Sequence, residues 1–179
     1  EEMRHLRPGV KTIVLSSKST PEDVIAALRA HVFALFTAPF DAAEITGMVK
    51  QAVEETEGTR GIDVVSAKRD WLSLRVDCRL VSAERLVQFF AALPVELGEP
   101  EKDDLLLAFR EILLNAMEHG TGFDPDQMVE VVAVRTERAL VRAARRQERT
   151  DEGLDSSNSM NWLTFATSAW SCETSATSP

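Results

Sequence analysis

Residues 103–120, DDLLLAFREILLNAMEHG, constrain the fold more than any other stretch, because they read as one amphipathic helix. Asp103 stands where a helix-capping acid belongs, and Gly120 where a left-handed C-terminal cap belongs. Leu105, Phe109, Ile112, Leu113 and Ala116 recur at helical spacing and predict a buried stripe. The opposite side carries Asp104, Glu111, Asn115 and Glu118, with Leu107 and Ala108 beside them. Glu111 and Asn115 are four residues apart, so their side chains share one face. A carboxylate there can take a proton from water or a hydroxyl, and a carboxamide offers Mg²⁺ a hard oxygen. By spacing alone, such a pair is also an ordinary solvated helix face.

The remaining bounds come from composition. A chain of 179 residues is enough for one ordinary domain or two small or partial ones. With 44% hydrophobic and 27% charged residues it reads as globular and soluble. No apolar run reaches the length of a membrane span, and no charged-then-apolar leader opens the chain. A net charge of −9 argues against nucleic-acid binding by bulk electrostatics. Cys78 and Cys172 fit no metal or redox spacing, and the expected compartment is cytoplasmic.

Residues 1–56 alternate strand and helix signals. KTIVLSS, residues 11–17, predicts a buried parallel strand. Thr20-Pro21-Glu22-Asp23 is a helix start, with Val24, Ala27 and Leu28 on the core side. Residues 31–36 predict a second strand. A second helix is expected from Ala42 to about Glu55, with Ile45, Met48, Val49 and Val53 inward. This order implies parallel crossovers. The strings IVLSS, TPEDVIAAL and FTAPFDAAEI resemble the C-terminal half of a response-regulator receiver domain. The resemblance implies that Ser16 takes the place of the hydroxyl that senses the phosphoryl group. The family's lysine before Pro-Phe is replaced by Ala38, and the aromatic switch position holds Leu35. The acidic cluster and phosphorylated Asp belong to the family's front half, so a receiver segment unable to accept phosphate is expected. His5 ahead of Pro8 lacks the acid and paired-helix setting of a phosphoacceptor histidine.

EGTRGIDVVSA, residues 57–67, reads either as a linker or as the approach to a strand. WLSLRVDC, residues 71–78, alternates with Leu72, Leu74 and Val76 on one side, a half-buried antiparallel strand. Ser82 opens a predicted helix with Leu86, Phe89, Phe90 and Leu93 inward, and the organising helix follows. Residues 121–126 predict a polar loop, residues 128–134 a strand, and residues 136–141 the turn and start of its hairpin partner. The string EILLNAMEHG, residues 111–120, resembles the E-x-x-x-N-A-x-x-H-G helix of the Bergerat-type ATP-binding fold. That fold is shared by histidine kinases, gyrase, a class of heat-shock chaperones and the anti-sigma-factor serine/threonine kinases, the last group being the most similar. The order strand, helix, helix, strand, strand matches the front half of that domain.

The expected architecture is therefore α/β: a partial doubly wound receiver segment (1–56), a linker (57–69) and a partial α/β sandwich of the Bergerat type (70–141). Residues 142–179 form an atypical tail, expected to be disordered, foreign or out of frame, because arginines and then Ser and Thr crowd without an apolar face. The resemblance implies that Glu111 is the general base and Asn115 the Mg²⁺ ligand, with ATP and Mg²⁺ as cofactors. Asp151 and Gly153 are the nearest counterpart of the family's adenine-reading Asp-x-Gly-x-Gly, without its second glycine. Asp104, Glu118 and His119 are expected to be surface groups, His119 complementing the helix dipole. The implied function is signal transduction by a receiver-linked kinase acting on a sigma factor or an anti-sigma-factor antagonist protein. No nucleic acid or membrane partner is expected, and a homodimer is compatible. The rivals are a histidine-kinase-type ATPase domain and a partner-binding module with an incomplete ATP site.

Overall fold

The computed structural model describes residues 9–55, 61–68, 71–94, 97–134, 140–146 and 162–166, the last two segments through their backbone. Among these residues the chain is mixed α/β, with four helices and two sheets. In chain order they are β1 (Ile13–Ser16), α1 (Pro21–Arg29), β2 (Ala34–Thr37), α2 (Ala42–Glu54), β3 (Ile62–Lys68), β4 (Trp71–Asp77), α3 (Leu80–Ala91), α4 (Glu99–Thr121), β5 (Met128–Val134), β6 (Leu140–Arg146) and β7 (Trp162–Ala166).

β1 and β2 form a small parallel sheet in which Ser16 pairs with Thr37. Helix α1 between them begins as its sequence predicts. The Asp23 N–H donates to the Thr20 hydroxyl at 3.2 Å, and the Thr20 N–H donates to the Asp23 carboxylate at 2.9 Å. This reciprocal capping box satisfies donors that a helix start would leave open. The Thr20 backbone N–H, and then its hydroxyl, hold the Asp23 carboxyl below its ordinary range. Three expectations need correction. β2 begins at Ala34 rather than residue 31, because His31 sits at φ 50 and its N–H closes onto Leu28 O. β1 is not buried on both sides, since Leu15 is exposed. On α2 the inward line is Ile45, Met48 and Ala52, whereas Val49 and Val53 are 45% and 80% exposed. Each lies one residue past that line, about 100° further round the helix.

The second sheet is antiparallel in the order β3-β4-β5-β6-β7. The stretch that reads as linker or strand approach contains β3 itself. Asp77, at the end of β4, fastens the start of β3: its carboxylate accepts from Gly61 N–H and its own N–H donates to Gly61 O, both at 2.9 Å. β4 is not the half-buried strand expected, since Ser73 and Asp77 on its polar side are buried as well; on the other side, as the alternation predicts, it buries Leu72, Leu74 and Val76. They meet Val129 and Val131 of β5, Leu86 and Phe89 of α3, and Phe109, Leu113 and Met117 of α4 in one core. Helix α3 starts at Leu80, ahead of the predicted Ser82. β6 runs through Arg146, past the predicted change of character at Val141, and β7 pairs with it from Leu140↔Ala166 to Ala144↔Trp162. The predicted turn at residues 136–138, and Asp151 and Gly153, lie outside the described residues.

Val24, Leu28 and Leu35 of the first sheet's layer belong to the same core as Leu74 and Leu86. Arg85 of α3 reinforces this junction. Its side chain is 9% exposed, its Nε donates to Phe33 O at 2.9 Å, and its guanidinium lies 4.4 Å from the Phe33 ring centroid. Its Nη1 is 3.7 Å from the Glu55 carboxylate, which also binds Lys11 Nζ at 2.7 Å.

Candidate functional site

Helix α4 is longer at both ends than its sequence predicts. Gly98 is its N-cap, and Pro100 sits in the first turn, where a missing N–H costs nothing. Asp103 is therefore an exposed residue inside the helix, not its cap. Gly120 is also helical, and Gly122 takes the left-handed cap at φ 63, with its N–H donating to Glu118 O. Phe109, Leu113, Ala116 and Met117 are buried, while Leu105 and Ile112 are half-buried. Phe109 stacks on Phe90 of α3 at 4.5 Å between centroids. This packing fixes which way the helix is turned.

The turn of the helix leaves Asp104, Leu107, Glu111, Asn115, Glu118 and His119 exposed. Glu111 and Asn115 thus stand one helical turn apart on the side away from the sheet. Asn115 is exposed, and its carboxamide has no hydrogen-bond partner among the described residues. A carboxamide oxygen is a chemically suitable ligand for Mg²⁺, which takes oxygen ligands and keeps several waters or phosphate oxygens. Among the described residues no group of three His, Cys, Asp or Glu gathers as a ready-made metal cluster.

Glu111 has a charged neighbour that sequence reasoning missed. Arg110 Nη1 lies 3.5 Å from Glu111 Oε1. The same guanidinium is gripped from α3, where Glu84 Oε1 accepts from Arg110 Nε at 3.0 Å and from Nη2 at 2.6 Å. These hydrogen bonds, with the charges of Glu84 and then Glu111, push the Arg110 pKa above its ordinary value despite slight desolvation. Arg-Glu in adjacent positions reads as plain helix surface, and the contact with Glu84 depends on how α3 and α4 pack.

In the first sheet, the half-buried Ser16 donates its hydroxyl to Lys18 O at 2.5 Å. Ala38 is exposed and Leu35 buried. No helix among the described residues is long and apolar enough to cross a membrane. Compared with protein-family models, curated proteins and solved structures, the chain matches none of them.

Proposed function

We propose that this chain is a signalling regulator in which a receiver-like segment precedes an ATP-binding unit of the Bergerat type, related to the anti-sigma-factor serine/threonine kinases. One observation carries the reading. Glu111 and Asn115 stand exposed together on a helix whose other side is packed on an antiparallel sheet. The motif EILLNAMEHG and the order of strands and helices around it support the same assignment.

In this reading Glu111 accepts the proton of a Ser or Thr hydroxyl on a partner protein. The hydroxyl oxygen bonds to the γ-phosphorus of ATP as the bond to ADP breaks. Asn115 would hold Mg²⁺ through its carboxamide oxygen, and the bound ion would supply neutralisation of phosphate charge. The partner is a sigma factor or an anti-sigma-factor antagonist protein, and the site of action is the cytoplasm. Adenine recognition would fall to Asp151 and Gly153.

Calorimetric titration with a slowly hydrolysed ATP analogue and Mg²⁺ tests this. The expected outcome is saturable, Mg²⁺-dependent binding, weakened at least tenfold in Asn115→Ala. Absence of binding by the unaltered chain would exclude the nucleotide reading and leave partner docking without catalysis.

A further inference from the structure

Arg110 stands between two carboxylates from different helices. Nε and Nη2 both reach one oxygen of Glu84 on α3, and Nη1 faces Glu111 on α4. The Arg110 and Glu84 side chains are only 35% and 29% exposed, so the grip is partly shielded from water, while Glu111 is 57% exposed. The two distances to Glu84 are hydrogen bonds, and the 3.5 Å to Glu111 is an ion-pair contact without one. The Nε–Nη2 edge of the guanidinium is committed to Glu84, which leaves Nη1 turned toward Glu111 in an ion-pair contact.

We infer that Arg110 is a positioning residue for Glu111, and that Glu84 holds Arg110 at the distance where it orients the Glu111 carboxylate without capturing it. The inference rests on the nucleotide reading for the meaning of Glu111, but the contact itself does not. If Glu84 is removed, the guanidinium is free to pair fully with Glu111 and occupy the oxygen needed as a base. If Arg110 is removed as well, Glu111 is released. The two changes should therefore not add. Residues in direct contact couple in stability whatever their role, so the discriminating quantity is the recovery of turnover in the double variant, which a purely structural contact does not produce.

The test uses the full chain with Glu84→Ala, Arg110→Gln, Glu111→Gln and the double variant Glu84→Ala/Arg110→Gln. The first readout is the ¹⁵N side-chain spectrum of Arg110, which needs no nucleotide. Slowly rotating, resolved Nη groups are expected in the unaltered chain. In Glu84→Ala they should stay resolved but shift as the guanidinium turns onto Glu111, while Glu111→Gln should move the Nη1 group without disturbing Nε. The second is phosphate release from Mg-ATP. Glu84→Ala should lower kcat roughly tenfold, the size of one charge-assisted contact, with KM nearly unchanged. The double variant should recover to the level of Arg110→Gln. Thermal melting confirms that each variant is folded. An Arg110 spectrum indifferent to Glu111→Gln overturns the inference, as does a double variant slower than both single ones. If the unaltered chain binds no Mg-ATP while Arg110 still senses Glu111, the nucleotide reading fails. The positioning role then falls with it, and only the ion-pair geometry stands.

Discussion

Arg85 shows how far one residue's role is decided by what packs around it. It lies beside Glu84 on α3, yet the two point to different neighbours: Glu84 to Arg110, and Arg85 to Phe33 and Glu55. The Phe33 carbonyl, the Phe33 ring and the Glu55 carboxylate together compensate a guanidinium that is largely out of water. A buried pair of this kind adds little over an apolar one, but breaking it strands a charge. Arg85→Ala would leave the Glu55 carboxylate, 4% exposed, with Lys11 as its remaining ion-pair partner among the described residues. The expected loss is roughly 3 kcal/mol, toward the lower end of the range for broken buried pairs, since Lys11 stays. Urea denaturation measures it. A change below about 0.5 kcal/mol, the level of ordinary surface substitutions, would mean the contact is incidental.

The elements differ in how completely their local sequence dictates them, and the ends of α4 show why. Gly120 and Gly122 are both eligible for a left-handed cap, but only Gly122 adopts φ 63. Helical hydrogen bonding carries past Gly120, and the Thr121 hydroxyl donates back to Met117 O at 2.7 Å. A Cβ built at Gly122 meets nothing within 4 Å, so a substitution there is opposed by backbone strain alone. Gly122→Ala is accordingly expected to cost about 1 kcal/mol, while Gly120→Ala, inside the helix, should stabilise slightly. Chemical denaturation of the pair distinguishes the two caps. The same competition explains what was legible. β4 and β5 announce themselves through alternation and a β-branched run, although both are buried on two sides, Ser73 and Asp77 in β4 and Met128 and Val132 in β5 joining the apolar line. The exposed face with Glu111 and Asn115 was legible from helical spacing. The first turn of α4 was hidden by Pro100, which suggests a loop but is allowed there. Val49 and Val53 suggested burial by type, and lie just beyond the line that the core takes. Arg110 and Glu84 could not be paired from sequence, because nothing local fixes which faces of α3 and α4 meet.

At the scale of the whole molecule, the parallel sheet and the antiparallel sheet look separable in sequence, yet they share side chains. Val24 and Leu28 of α1 and Leu35 of β2 lie in the same core as Leu74, Leu86 and Val131. Arg85 ties α3 to Phe33 from within that core's margin, and the Ser19 hydroxyl donates to Ala92 O just past α3. A layer so joined has little reason to open alone. Leu28 is 2% exposed, so Leu28→Ala removes buried contacts at the junction itself and should cost at least about 2 kcal/mol. If the two sheets open as one unit, amide exchange must quicken by the same factor in β2 and in β4. The expected factor is roughly 30-fold, that free energy expressed as a population of the open state. Native-state hydrogen exchange at Leu35 and at Leu74 reads both sheets in one sample. Equal acceleration would mean that α3 and α4 keep their places only while the first sheet is docked, so that Glu111 and Asn115 depend on it. Acceleration confined to Leu35 would show that the antiparallel unit holds its candidate site unaided.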